Sequence, residues 1–62
     1  MQALSFECPQ GLGDAEFVGW ATATLGAAKK IAKSVLVFNV GSTQRVATLA
    51  ALGVTHASLI AA

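Results

Sequence analysis

Apolar and polar residues alternate over the first eight positions of the chain. Leu4, Phe6 and Cys8 share one side of an extended segment, and Ser5 lies on the other side. This period of two is typical of a strand with one buried face, so we predict a strand over residues 2–7. The segment PQGLG follows, and its proline and two glycines indicate a turn.

The apolar spacing after this turn changes to that of a helix. Apolar positions recur every three or four residues, which predicts a helix over residues 14–28 with one face toward the core. Asp14 is placed to cap its first turn. The positions predicted to face the core are Phe17, Trp20 or Ala21, Thr24 or Leu25, and Ala28.

A second strand and a second helix follow. The run SVLVFNV is rich in β-branched residues and predicts a central strand. Ser42 or Thr43 can then cap a helix that ends near Leu52, and Gly53 suits the C′ position just after it. The positions predicted to be buried by this helix are Val46, Leu49, Ala50 and Leu52.

The tail HASLIAA predicts a third strand and completes the order β-α-β-α-β. Three strands and two helices form a two-layer α/β (α+β) sandwich with a small three-stranded sheet. We expect residues 1–62 to make a single small domain. Two helices can cover only one face of the sheet, so the other face is expected to expose apolar side chains.

The composition strengthens this expectation. Hydrophobic residues make up 55% of the chain and charged residues 11%, against about a quarter charged in an ordinary soluble domain. Such a surface favours self-association or binding to a protein partner. Alternate strand residues point to opposite faces, so a contact through the central strand would use either Val35 and Val37 or Leu36 and Phe38.

The charges exclude some classes of partner. A net charge of +1 is too small to indicate a nucleic-acid or membrane surface. The absence of a long apolar run and of a signal-peptide pattern, together with a lone cysteine, predicts a cytoplasmic protein. A basic patch falls at or beyond the end of the first helix, where it either satisfies the helix dipole or docks an acidic partner. This patch consists of Lys29, Lys30 and Lys33.

Cys8 is the single cysteine of the chain and directly precedes the single proline. One cysteine forms no internal disulfide, and the sequence has neither a CxxC pair nor a Cys/His cluster for a metal. At a junction of strand and helix, free backbone N–H groups and the helix dipole lower a thiol pKa. We predict an exposed, reactive Cys8 at the rim of the sheet; the alternative is an inert core residue.

Two segments, LSFECP (Leu4 to Pro9) and VLVFNVGSTQRVATLAALG (Val35 to Gly53), resemble the TusA/SirA-like sulfur-carrier family. The resemblance implies that Cys8 accepts a sulfane sulfur from a donor protein, carries it as a persulfide and passes it on without a cofactor. The basic patch would then dock acidic partners. Gly11 stands where the family motif Cys-Pro-x-Pro has its second proline, and the last strand of the family has no counterpart here.

Three other interpretations stay open. The first is a non-enzymatic module that binds itself or a partner through its apolar face. The second is a helix-turn-helix in STQRVATLAALGVTHASLIAA, whose recognition helix would begin at Ser58 and Leu59 but would lack basic or amide side chains to read bases. The third is an anion site at the start of the second helix, where ordinary helix capping explains the same residues. That site would consist of Gly41, Ser42, Thr43 and Arg45.

Overall fold

The chain folds into three strands and two helices in the predicted order, in a computed structural model that describes residues 1–60. The elements are β1 (Ala3–Glu7), α1 (Asp14–Ala28), β2 (Ser34–Phe38), α2 (Thr43–Ala51) and β3 (His56–Ala57). The predicted small α/β fold is therefore confirmed. The third strand is shorter than predicted, and residues 61 and 62 of the predicted strand lie outside the described residues.

The sheet is parallel throughout, with β2 in the centre of the order β1-β2-β3. Leu4 pairs with Val35, and Leu36 pairs with His56. Parallel strands place all their carboxyl ends at one end of the sheet, here called the carboxyl edge, where Glu7 lies. The opposite end, where the strands begin, is called the amino edge.

Both helices pack on one face of the sheet. Val35 and Val37 of β2 lie in the same buried cluster as Phe17 of α1 and Leu49 of α2. The other α1 residues of this cluster follow the predicted helical spacing: Ala21, Leu25 and Ala28. Alternation along β2 therefore directs its remaining side chains to the second face, over which neither helix packs.

The helix caps differ in part from the predicted ones. The cap of α1 is Gly13, not Asp14, and its N–H donates to Oε1 of Glu16 at 3.0 Å. Ser42 caps α2 as predicted, since its Oγ accepts the N–H of Arg45 at 3.2 Å. Gly53 follows α2 with a φ of +95°, in the left-handed region expected at C′.

Two predictions for the C-terminal third are wrong. Ala50 is exposed rather than buried, because its neighbour Leu49 occupies the helix position that faces the sheet. The segment assigned to a recognition helix forms β3 instead, and the N–H of Ser58 donates to the carbonyl of Val37 at 2.9 Å. Residues 1–60 therefore contain no helix-turn-helix at this position. Within the same residues, no helix has the length and apolar character needed to cross a membrane.

Candidate functional site

A cleft of about 370 Å³ opens at the carboxyl edge between the loop after β1 and the loop before α2. Pro9, Gln10 and Gly11 line it from one side, and Gly41, Ser42 and Arg45 line it from the other. This carboxyl-edge cleft is within the size range of small-molecule sites, which begins at about 300 Å³. Ligands of open parallel sheets bind outside the carboxyl ends of the strands, which is where this cleft lies.

Gln10 holds the two sides of the cleft together. Its Nε2 donates to the carbonyl of Cys8 at 3.0 Å and to the carbonyl of Asn39 at 3.2 Å. Asn39 has a φ of +59°, a conformation that asparagine tolerates better than most residues. Its side chain donates to Oε1 of Glu7 at 3.3 Å. The ends of β1 and β2 are thus connected by side chains as well as by the sheet.

Arg45 is fixed beside the cleft by three contacts. Its Nη2 donates to the carbonyl of Leu12 at 2.9 Å and to Oδ1 of Asp14 at 3.0 Å. Its Cζ lies 4.7 Å from the ring centroid of Phe17. A guanidinium has five N–H donors, and the Nε and Nη1 donors have no hydrogen-bond partner among residues 1–60. Arg45 therefore presents unused donors from a fixed position.

The first turn of α2 adds donors on the same side. Ser42 Oγ accepts the N–H of Arg45, whereas the N–H groups of Thr43 and Gln44 have no acceptor inside the helix. Gly41 has a φ of +92° and lets the chain turn into the helix. The structure thus brings Gly41, Ser42 and Arg45 to the cleft as predicted, while Thr43 lies in the same turn without lining it.

Sequence reasoning missed the contribution of the first loop to the cleft. Pro9, Gln10, Gly11 and Asp14 line it as well. The signal that could have located them is the pairing of β1 with β2, since adjacent parallel strands end side by side. The sequence pattern contains both strands but leaves their pairing open.

Cys8 is buried, with 2% of its surface exposed, and the predicted exposed, reactive thiol is wrong. Its N–H donates to the carbonyl of Phe38 at 2.8 Å, so pairing along β1 continues through this residue. Alternation then directs its side chain to the helix-covered face with Leu4 and Phe6. Burial raises the pKa of the Cys8 thiol above its ordinary value of 9.0, although the charge of Arg45 acts to lower it.

The predicted basic patch lies at the opposite end of the molecule from Cys8. Lys29, Lys30 and Lys33 are exposed between the end of α1 and the start of β2, at the amino edge. Lys29 Nζ donates to the carbonyl of Leu52 at 3.3 Å, which ties it to the end of α2. The thiol and the docking surface that the sulfur-carrier hypothesis would combine are therefore separated by the length of the sheet.

The face of the sheet opposite the helices is here called the open face. Leu36 and Phe38 occupy its centre and are partly exposed, and Ser5, Glu7 and His56 surround them. The rings of Phe38 and His56 meet edge to face with centroids 6.5 Å apart. The structure thereby selects Leu36 and Phe38, rather than Val35 and Val37, as the apolar residues that β2 offers to a partner.

Comparisons of the chain with protein-family models, curated proteins and solved structures found no match. The resemblance to the sulfur-carrier family therefore stays a prediction. The part of the chain that the structure describes has no cluster of three His, Cys, Asp or Glu side chains that could hold a metal ion.

Proposed function

We propose that this protein binds a small phosphate-bearing metabolite in the carboxyl-edge cleft. The observation that carries the proposal is the position of Arg45, whose guanidinium is fixed by Leu12, Asp14 and Phe17 while Nε and Nη1 keep unused donors. A guanidinium held in one orientation loses little freedom when it binds an anion, and it can bind phosphate oxygens in a bidentate manner.

The surrounding backbone favours the same ligand class. The N-terminus of α2 carries a partial positive charge and N–H groups without acceptors, which together attract an anionic group. Gly41 and Gly11 add no side chains between this turn and the centre of the cleft. A phosphate placed against Arg45 can therefore also approach the first turn of the helix.

Asp14 limits the charge of the ligand. Its carboxylate lines the cleft and forms an ion pair with Arg45, so the two side chains together contribute no net charge. The attraction left for an anion comes from the helix dipole and from the unused donors. A single phosphate fits this balance, whereas the repulsion between Asp14 and a triphosphate would be larger.

The arrangement supports binding rather than catalysis. Asp14 and Arg45 are the titratable residues that line the cleft, and each is already engaged by the other. Cys8 is buried with a raised pKa, and His56 lies on the open face. The sulfur-carrier hypothesis needs an accessible thiol, and no contact of Cys8 favours it over the binding role proposed here.

Titration with inorganic phosphate and with a set of phosphomonoesters tests the proposal. Isothermal calorimetry gives the affinity, and amide chemical shifts report whether Gly41, Ser42 and Thr43 respond. The variant Arg45→Met is expected to lose at least about tenfold in affinity, because a charge-assisted bond contributes about 1.5–3 kcal/mol. Lys30→Met is the matched control, since it removes the same charge from the amino edge and should change the affinity less than about twofold.

The outcomes separate specific binding from general attraction to a cation. Equal losses in Arg45→Met and Lys30→Met would contradict the proposal, because they would show that phosphate responds only to net charge. Saturable binding to the parent protein that is absent in Arg45→Met, with shifts confined to the two loops, is the expected result. No saturable binding of any phosphate compound to the parent protein would also overturn it.

A further inference from the structure

The open face lacks the covering layer that a parallel sheet normally has. All-parallel sheets are found almost only with both faces covered, yet α1 and α2 both pack on the Val35 and Val37 side. Within residues 1–60, nothing else forms a second layer over Leu36 and Phe38. The open face has an apolar centre and a polar rim, which is the arrangement of a protein interface.

The charges of the chain are divided between the two ends of the strands. The chain runs from the carboxyl edge to the amino edge along α1, so acids in its first turn and lysines after its last turn lie at opposite ends. The acids at the carboxyl edge are Glu7, Asp14 and Glu16. The lysines at the amino edge are Lys29, Lys30 and Lys33.

Most of these charges are free to pair with another molecule. The ion pair of Asp14 with Arg45 is the one that residues 1–60 form, so Glu7, Lys30 and Lys33 keep their charge unpaired there. The end of the open face at Glu7 is thus acidic, and the end near Lys33 is basic. A covering partner should present the reverse order of charges.

We infer that a second copy of this chain covers the open face, with its strands antiparallel to those of the first. A two-fold axis that lies between the sheets and crosses the strands produces this arrangement and makes both contacts identical. Leu36 and Phe38 of the two copies then pack together. The acidic end of each copy meets the basic end of the other, whereas a dimer with strands in the same direction would bring like charges together.

The dimension of the open face sets the expected strength. Five residues along a strand and three strands across span roughly 15 Å in each direction. The resulting contact falls in the class of small, transient interfaces, below about 1,200 Å² of total buried surface. The dimer is therefore weak and reversible, and it must be measured at protein concentrations on the order of 100 µM or above.

Sedimentation equilibrium over this concentration range tests the dimer. Leu36→Glu is expected to weaken dimerisation at least about tenfold, because it places a charge in the apolar centre. Ser5→Arg is a second variant, chosen because Ser5 is exposed and lies opposite Leu36, so the fold should tolerate the change. Val18→Arg is the matched control, since Val18 is exposed on α1, away from the open face. Circular dichroism verifies that each variant is folded.

Charge reversal tests the direction of the strands. Glu7→Lys and Lys33→Glu are each expected to weaken the dimer by about threefold, a magnitude typical of exposed ion pairs. The double variant restores the attraction in the antiparallel dimer and should recover most of the parent affinity. Added salt should weaken the parent dimer as well.

Each result supports or overturns the inference. A monomer at several hundred micromolar overturns it and leaves the open face to a different protein. A dimer that is insensitive to Leu36→Glu and Ser5→Arg but lost in Val18→Arg would place the contact on the helices and overturn it too. A dimer through the open face that the double charge reversal fails to restore would contradict the antiparallel arrangement. The phosphate site lies outside this face, so none of these results depends on ligand binding.

Discussion

Arg45 Nη2 lies 3.0 Å from Oδ1 of Asp14, and this ion pair joins the first turns of the two helices across the carboxyl-edge cleft. The Arg45 side chain is 23% exposed, whereas that of Asp14 is 98% exposed. The arginine is therefore the fixed partner and the aspartate the solvated one. An anionic ligand and Asp14 would compete for the same guanidinium.

Asp14→Asn should tighten phosphate binding by about threefold to tenfold. The substitution removes a negative charge from the cleft, and exposed charges this close to a ligand typically change affinity by such factors. The bond of Arg45 to the Leu12 carbonyl and its contact with Phe17 keep the guanidinium in place. Calorimetric titration with inorganic phosphate measures the change.

Glu7→Gln is the control for this prediction, because it removes a carboxylate that does not line the cleft. It should alter phosphate affinity by less than about twofold. Weaker binding in Asp14→Asn would contradict the prediction and would show that the carboxylate mainly orients Arg45.

The fold was predictable because local patterns agree with the burial that the structure shows. Leu4 and Phe6 alternate with exposed residues along β1, and Phe17 and Leu25 repeat at helical spacing along α1. Both periods depend only on the geometry of a single strand or helix. Neither depends on which strand pairs with which.

The site was predictable only in part, because its chemistry depends on contacts between distant segments. Asp14 reads as a helix cap from its local sequence, yet it bonds to Arg45, which lies 31 positions away. Cys8 reads as the end of a strand before a proline, yet pairing with Phe38 continues the strand and buries the thiol. Strand pairing decides both outcomes, and a single sequence does not contain it in a local pattern.

Ser42→Ala should lower the free energy of unfolding by about 1 kcal/mol. Ser42 Oγ accepts the N–H of Arg45 and caps α2, and loss of a serine cap typically has this effect. Urea denaturation followed by circular dichroism measures it. Thr43→Ala is the matched control at the next position, where the side chain is exposed, and it should change stability by less than about 0.5 kcal/mol. Equal effects would show that Ser42 does not act as the cap.

Two glycine-to-alanine substitutions should act in opposite directions. Gly19 lies inside α1 with open space where a Cβ would be placed, so Gly19→Ala should raise stability by about 0.5–1 kcal/mol. Gly53 has a φ of +95°, and a Cβ there would meet the Lys29 ammonium, so Gly53→Ala should lower stability by about 1 kcal/mol or more. Thermal and urea unfolding of both variants provide the comparison. A stabilised Gly53→Ala would contradict the positive φ at that position.

The stability contributed by Cys8 should decrease at alkaline pH. Burial raises the pKa of the folded thiol above the ordinary value of 9.0, so the unfolded chain releases this proton first as the pH rises. The stabilisation is therefore complete below the unfolded pKa and is lost as the pH rises through the folded pKa. The difference in unfolding free energy between the parent and Cys8→Ala should shrink from about pH 8 to pH 10. A difference that grows over this interval would contradict the raised pKa.

Alkylation kinetics test whether Cys8 is a core residue or a carrier thiol. With 2% of Cys8 exposed, iodoacetamide should react at least about a hundredfold more slowly with the folded protein than with the urea-unfolded chain, because reaction requires local opening. Cys8→Ala combined with Ser5→Cys moves the thiol to an exposed position of the neighbouring strand residues and should label rapidly in the folded state. If Cys8 labels as fast as this control, the thiol is accessible and the sulfur-carrier hypothesis regains its chemical basis. Incubation with a cysteine desulfurase and cysteine then decides between the two roles, since a gain of one sulfur atom in mass that Cys8→Ala abolishes is expected only of a carrier.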